Sequence, residues 1–137
     1  MPRVTVTRRL NFNAAHRLHN PALSEQENRE LFGLCNSPNW HGHNYRLDVS
    51  VAGEVDERTG YVIDLKVLRD LVETHLIDKM DHKNLNVDVD FLRAINPTAE
   101  NIVVACWRVL EPAVKPAALT KLRLWETDNN YVEYEGE

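Results

Sequence analysis

The stretch from Cys35 to Tyr45, CNSPNWHGHNY, leads from a turn into a β-strand. The strand is predicted from His43 to Gly53, because aromatic or aliphatic residues then occupy alternate positions: Tyr45, Leu47, Val49 and Val51. Successive side chains of a strand point to opposite faces, so His41 and His43 should point the same way. Two imidazoles on one face, one residue apart, supply half of a metal site.

A third imidazole lies in phase at the end of another predicted strand, Val4 to His16, where Leu10, Phe12, Ala14 and His16 share a face. Three neutral imidazoles without a fourth protein ligand are typical of catalytic zinc, which keeps one position open, whereas structural zinc sites are usually closed by four ligands. We therefore interpret His16, His41 and His43 as zinc ligands. The alternative is a set of half-buried histidines satisfied by hydrogen bonds.

Composition narrows the class of protein. With 137 residues, 43% hydrophobic and 27% charged, residues 1–137 are expected to form a single globular domain. No apolar run approaches the roughly 20 residues that span a bilayer, and the N-terminus lacks a signal-peptide pattern, so the cytoplasm is the expected location. The net charge of −5 argues against nucleic acid as a partner. A small anionic substrate stays open, because a metal and a few bases can reverse the field inside a pocket.

The two cysteines have different surroundings. Cys35 lies in a turn-rich loop beside the predicted metal ligands, where a metal or an imidazolium could lower its pKa and make it a base or nucleophile. Cys106 lies in an apolar run and is expected to pack as a small hydrophobe.

Two helices are predicted in the middle of the chain. One begins after an N-cap at Asp64 and ends near Met80, because its apolar residues recur every three or four positions. The other begins after an N-cap at Thr98 and is closed by Pro112.

Further strands flank these helices. We interpret Tyr61–Ile63 as the partner of the preceding strand in an antiparallel hairpin, and Lys121–Thr127 with Tyr131–Glu135 as a second hairpin. Polar residues that alternate with the apolar ones of the second strand, Asp48 among them, are expected to face solvent. The order β, loop, ββ, α, α, ββ predicts an α+β domain with helices segregated from an antiparallel sheet.

Other polar residues are candidates for chemistry. Asp81 and His82 form an acid–base pair in a predicted loop, which could transfer protons or be merely solvated. Glu126 lies in line with Leu122 and Leu124 on one strand face, so it either meets water at the end of the sheet or binds a polar ligand.

Six ordered motifs give the chain a resemblance to the 6-pyruvoyltetrahydropterin synthase family. They are Phe12–Leu18, Cys35–Asn39 with His41–Tyr45, Gly53–Asp56, Asp81–Leu85, Pro97–Asn101 and Trp125–Asn130. The resemblance implies a tunnelling fold, with a four-stranded antiparallel sheet and two helices on one face. It also implies trimers whose sheets close into a barrel, two trimers stacked as a hexamer, and active sites between subunits.

The resemblance also assigns roles to residues. It implies zinc at His16, His41 and His43, in agreement with the strand phase. The catalytic groups implied are Cys35, Asp81 and His82, with the Cys35 thiolate as general base. The pterin contacts implied are Glu126, Thr98 and Glu100.

The reaction implied is zinc-dependent conversion of 7,8-dihydroneopterin triphosphate to 6-pyruvoyltetrahydropterin with loss of triphosphate, for which Mg²⁺ could accompany the zinc. One rival is 6-carboxytetrahydropterin synthase of queuosine biosynthesis, which shares fold, zinc ligands and substrate. The five residues between Cys35 and His41 resemble the pyruvoyl-forming enzymes, since the carboxy-forming ones usually have three. Another rival is a pterin- or zinc-binding module without turnover. Trp40 departs from the glycine expected in the family.

Overall fold

Two long antiparallel strands form the centre of the sheet. In the computed structural model, which describes residues 2–137, they are β1, Arg3–His16, and β2, His41–Glu54. The two strands pair along their full length, so that His16 lies opposite His41. On the other side β2 pairs with β4, Ala118–Thr127, and β4 forms a hairpin with β5, Asn130–Tyr134. Both central strands and the final hairpin confirm the sequence predictions.

A fifth strand makes the sheet mixed. The two-residue β3, Lys83–Asn84, pairs parallel with β1 at Ala14 and Ala15, giving the order β3-β1-β2-β4-β5. The prediction of four purely antiparallel strands was therefore wrong in strand count and direction. The physical reason lies in two backbone hydrogen bonds, from His82 N–H to the Asn13 carbonyl (2.6 Å) and from Leu85 N–H to the Ala15 carbonyl (2.8 Å).

The predicted strand at Tyr61–Ile63 was also wrong. This segment forms no strand and instead closes a loop, in which the Asp56 N–H donates to the Tyr61 carbonyl at 2.9 Å. Val62 and Ile63 are half-buried against the core. Their apolar character therefore reflects packing against the core rather than strand pairing.

The helices are α1, Glu25–Phe32; α2, Leu65–Val72; α3, Asp78–Met80; and α4, Ala99–Leu110. A π-helical turn, Glu73–Ile77, joins α2 to α3 and makes them one rod. The predicted N-caps are confirmed, because Asp64 and Thr98 accept hydrogen bonds from backbone N–H groups in the first turns of α2 and α4. The predicted end of the first rod at Met80 is confirmed as well.

One core lies between the sheet and the helices α2 to α4. The inward-facing side chains of β1, β2 and β4 share it with buried residues such as Leu68, Leu76, Ile102 and Leu110. Cys106 is fully buried there, as predicted for a small hydrophobe, and burial raises the pKa of its thiol to about 12.

The opposite face of the sheet is polar. Asp48 lies on this face and was predicted to be exposed to solvent, but that prediction was wrong. It is only 7% exposed. Its carboxylate accepts hydrogen bonds from Arg9 Nε (2.7 Å) and Trp125 Nε1 (3.2 Å), while the Arg46 guanidinium stacks 4.5 Å from the centre of the Trp125 ring. These neighbours on three strands cover the carboxylate and pair its charge.

Among residues 2–137 we find no helix with the length and apolar character that a membrane span requires.

Candidate metal centre and catalytic groups

The three predicted histidines converge at one end of the sheet. His16 ends β1, and His41 and His43 begin β2, so the antiparallel pairing brings them onto one face. Their ring centroids are 4.5 Å (His16–His41), 5.1 Å (His16–His43) and 4.9 Å (His41–His43) apart. One nitrogen from each ring can be chosen so that all three lie within 4.8 Å of one another. A single metal ion could be held by this cluster.

Hydrogen-bond accounting supports the same conclusion. His16 Nε2, His43 Nε2 and both ring nitrogens of His41 are buried without a hydrogen-bond partner in the described chain. Buried polar atoms are nearly always paired, and leaving one unpaired costs about 1–3 kcal/mol. Unprotonated imidazole nitrogens are also metal ligands. The donor set fits a metal ion, and it does not fit histidines satisfied by hydrogen bonds.

The orientation of His16 is fixed from outside the cluster. Its Nδ1 lies 2.8 Å from the Pro97 carbonyl oxygen, which can only accept, so the proton is on Nδ1 and the Nε2 lone pair is available. The pKa of His16 is lowered to about 4, chiefly by burial and also by the other two imidazoles, against the opposing effect of the Pro97 carbonyl. The ring therefore stays neutral, as a metal ligand must be, well below neutral pH. Sequence reasoning missed Pro97, because a backbone carbonyl carries no sequence signature.

Glu126 lies at the edge of this cluster. Its Oε1 is 4.0 Å from His43 Nε2, where β4 reaches an irregularity in its pairing with β5 between Trp125 and Thr127. Burial raises the pKa of the Tyr45 hydroxyl, and the charges that Glu126 and Cys35 can carry raise it further. Glu126 and Cys35 are thus both close enough to Tyr45 to act on it electrostatically, and Tyr45 itself contacts His16 Nδ1 at 3.3 Å.

Cys35 is half-buried in a tight turn between α1 and β2. Its carbonyl accepts a hydrogen bond from the Leu18 N–H at 2.8 Å, which links the turn to the segment after His16. Trp40, at the end of the same connection, has φ +68°, a left-handed conformation that favours glycine. The tryptophan therefore stands at a position whose backbone explains the glycine expected in the family.

Asp81 and His82 pair with each other away from the cluster. Asp81 Oδ2 lies 3.0 Å from His82 Nδ1, and Asp81 Oδ1 accepts the Asn13 N–H at 2.8 Å. That N–H and His82 lower the pKa of Asp81 against an opposing effect of burial. The His82 side chain is 81% exposed. Asn13 precedes His16 by three residues, about 10 Å along a strand, and in the described chain neither side chain of the pair hydrogen-bonds to the histidine cluster or to Cys35.

Thr98 and Glu100 lie at the start of α4, directly after the Pro97 carbonyl that holds His16. The Thr98 hydroxyl oxygen accepts the Asn101 N–H at 3.1 Å, while the Glu100 side chain is exposed. Both predicted pterin contacts are therefore near the three histidines in the fold, and Thr98 also has a structural role as a helix cap.

Comparison with known proteins gives a consistent result. A family model described as 6-pyruvoyl tetrahydropterin synthase matches residues 5–137. The chain is 45% identical to the 6-pyruvoyl tetrahydrobiopterin synthase of Homo sapiens, over 96% of this chain and 91% of the relative. The solved structure of Caenorhabditis elegans 6-pyruvoyl tetrahydropterin synthase superposes with a TM-score of 0.94 at 41% identity, covering 100% of this chain and 98% of that one.

A relative named as a 6-carboxytetrahydropterin synthase is less similar in sequence. Identity to the 6-carboxy-5,6,7,8-tetrahydropterin synthase of Rickettsia conorii is 28%, over 95% of this chain and 99% of the relative.

Proposed function

Because the chain belongs to the 6-pyruvoyl tetrahydropterin synthase family, we propose that it converts 7,8-dihydroneopterin triphosphate to 6-pyruvoyltetrahydropterin and releases triphosphate. The observation that carries the proposal is the convergence of His16, His41 and His43 with buried, unpaired ring nitrogens. A site that only stored pterin would not need three imidazoles held ready for a metal.

The metal in this proposal is zinc, held by His16, His41 and His43. Three neutral imidazoles with a remaining open position suit catalytic zinc better than a hard, oxygen-seeking cation such as Mg²⁺. When bound, zinc supplies Lewis acidity that polarises the oxygens of the substrate side chain. In this proposal Mg²⁺ would act on the triphosphate.

The remaining roles fall to side chains of the protein. Cys35 acts as the general base that removes a proton from the substrate side chain, and the Asp81–His82 pair relays protons as the triphosphate leaves. Asp81 is suited to fix the tautomer of His82, because its Oδ2 lies 3.0 Å from His82 Nδ1. Glu126 accepts hydrogen bonds from the pterin ring, with Thr98 and Glu100 as further contacts.

Asp81 and His82 serve the site of a neighbouring subunit in this proposal. The support is geometric, since the pair lies about 10 Å along β1 from His16 and presents His82 to the outside. The adjoining edge of β1, from Arg3 to Asn13, has no further strand beside it among the described residues. Association of such edges into a trimeric barrel, and of two trimers into a hexamer, would cover them.

The second candidate product is 6-carboxytetrahydropterin. Identity favours the pyruvoyl product, at 45% to the human relative against 28% to the Rickettsia one. The spacing from Cys35 to His41 points the same way.

Mass spectrometry of the products formed by zinc-loaded protein from 7,8-dihydroneopterin triphosphate tests the proposal. We expect 6-pyruvoyltetrahydropterin and triphosphate, and a Cys35→Ala variant should lose turnover. Formation of carboxytetrahydropterin with acetaldehyde would instead assign the second candidate activity to the protein. If the parent protein and the Cys35→Ala variant bind pterin with equal affinity and neither converts the substrate, the protein is a binding module.

A further inference from the structure

Asn36 follows Cys35 and is only 3% exposed. Its Nδ2 donates to the Leu18 carbonyl at 2.7 Å and to His19 Nδ1 at 3.0 Å. Since a carbonyl can only accept, the amide nitrogen and not the amide oxygen must face Leu18. Both N–H bonds of the amide are thereby used, and His19 holds its own proton on Nε2.

Two more hydrogen bonds join the same segments. The Leu18 N–H donates to the Cys35 carbonyl at 2.8 Å, and Arg17 Nε donates to the Asn36 carbonyl at 3.0 Å. Residues 17–19 directly follow the metal-binding His16. The turn that carries Cys35 is therefore fastened to the chain leaving the metal centre by side-chain and backbone bonds together.

A third segment joins this junction through His19. The His19 N–H donates to Asn96 Oδ1 at 3.0 Å, and the next residue, Pro97, is the one whose carbonyl orients His16. The segment before α4, the chain after His16 and the turn at Cys35 are thus held in one hydrogen-bonded network.

We propose that Asn36 is a positioning residue, whose buried amide fixes the distance and orientation of the Cys35 thiol relative to the metal centre. This inference rests on the role proposed above for Cys35. A general base transfers a proton only within hydrogen-bond reach, and a misplacement of about 1 Å can cost about 100-fold in rate. The amide controls the position of Cys35 without contacting the substrate.

The chain offers a matched control in Asn28. This asparagine is 0% exposed, and its Nδ2 also donates to backbone carbonyls, those of Asn20, Leu23 and Ser24. It fastens the loop before α1 and has no hydrogen bond to residues 35 or 36. Replacing Asn28 removes a comparable buried amide that makes no direct hydrogen bond to the turn at Cys35.

The first measurement is steady-state kinetics of zinc-loaded Asn36→Ala and Asn28→Ala. We expect kcat of Asn36→Ala to fall about 10–100-fold with KM within about twofold, because ground-state binding is intact and proton removal is not. The kcat of Asn28→Ala should stay close to that of the parent. Equal kcat values for the two variants would overturn the proposal.

The second measurement is the rate at which iodoacetamide labels Cys35, which needs no substrate. Cys106 is fully buried, so Cys35 is the thiol that reacts in the folded protein. We expect the labelling rate to rise several-fold in Asn36→Ala, because the turn is released, and to stay unchanged in Asn28→Ala. Unchanged labelling in both would count against the proposal.

Labelling also separates this inference from the proposed function. A parent protein without turnover would end the functional proposal, whereas a labelling difference between the variants would still support control of Cys35 by Asn36. If Asn36→Ala does not fold, His19→Ala removes only one of the two amide partners. The same changes, smaller in size, are then expected, and their absence would overturn the inference.

Discussion

A single hydrogen bond fixes the orientation in which His16 would bind a metal. The His16 Nδ1–H donates to the Pro97 carbonyl, so the Nε2 lone pair faces His41 and His43. Burial lowers the pKa of the ring to about 4 and keeps it neutral. The ligand is therefore oriented and deprotonated by the protein itself before any ion is bound.

Replacing His41 with alanine should abolish metal binding. Two imidazoles remain, and we expect the zinc content after gel filtration to fall from one per chain to near zero, with kcat lowered at least about 100-fold. His75→Ala is the control, because His75 lies in the π-helical turn outside the cluster. This variant should bind as much zinc as the parent protein. Undiminished zinc in His41→Ala would contradict the assigned ligand set.

Backbone strain at Trp40 leads to another prediction. At φ +68° a side chain with a Cβ is disfavoured, so Trp40→Gly should be more stable than Trp40→Ala by about 0.5–1 kcal/mol. Both variants lose the indole, which cancels its packing from the comparison. Urea unfolding curves measure the difference, and an alanine variant at least as stable as the glycine variant would refute the argument.

At the scale of residues, sequence reasoning found the groups with distinctive chemistry. The alternation of β1 and β2 predicted that His16, His41 and His43 share one face, which the structure confirms. It could not find Pro97 or the partners of Asn36, because backbone carbonyls and amide contacts are determined by tertiary packing. Asp48 was misplaced for the same reason: alternation assigns a face, not the neighbours that cover it.

At the scale of elements, Asp48 ties three strands together on the polar face. Its carboxylate bonds to Arg9 of β1 and Trp125 of β4 while it belongs to β2 itself. Burial opposes ionisation, but the hydrogen bonds from Arg9 and Trp125 and the charges of Arg9 and Arg46 outweigh it and hold the pKa below its usual value. The ionised form thus stabilises the sheet.

The stability of the protein should depend on this carboxylate above about pH 4, the usual aspartate pKa. Because the pKa of Asp48 is lower in the folded state than in the unfolded chain, its ionisation stabilises the folded state above the unfolded pKa. This contribution is lost as the pH falls through the folded pKa. We expect Asp48→Asn to lower the free energy of unfolding by about 1–2 kcal/mol at pH 7, with a smaller deficit at pH 3. The exposed Asp70→Asn is the control for urea titrations at both pH values. A deficit independent of pH would disprove the charge-based explanation.

Elements with local signals were predictable, and those without were not. N-caps at Asp64 and Thr98 and the helical apolar stripes marked the long helices, since caps and periodicity are local. The strand β3 is two residues long and has no periodicity, so only its pairing with β1 reveals it. The apolar run at Tyr61–Ile63 was mistaken for a strand because burial alone produces the same composition.

At the scale of the whole molecule, the proposed catalytic groups fall into two sets. His16, His41, His43 and Glu126 lie together, and Cys35 acts electrostatically on Tyr45, whose hydroxyl contacts His16. Asp81 and His82 stand apart on the far side of β1. An enzyme that needs both sets must bring them together by association, as the hexamer proposed above would do.

Mixed assemblies should reveal such shared sites. Cys35→Ala and His82→Ala are each expected to be inactive alone, whereas hexamers assembled from equal amounts of both should regain about a quarter of the parental activity, because random pairing leaves that share of sites intact. Turnover after co-expression measures the recovery.

A mixture of Cys35→Ala with His41→Ala supplies the control. Both residues come from the same chain in this scheme, so no intact site can form and no activity should return. Recovery in this control, or none in the first mixture, would exclude the division between subunits.

The hydrogen bond between His16 and the Pro97 carbonyl has a consequence for the removal and exchange of a metal ion. Since strands and core hold the imidazoles in place, a bound ion should be removable, and the chain should fold without it. After treatment with a chelator, the metal-free protein should remain folded and should bind metal again readily. Co²⁺ in place of the proposed zinc, which is colourless, would give the site a visible spectrum that should change when a ligand binds to the metal.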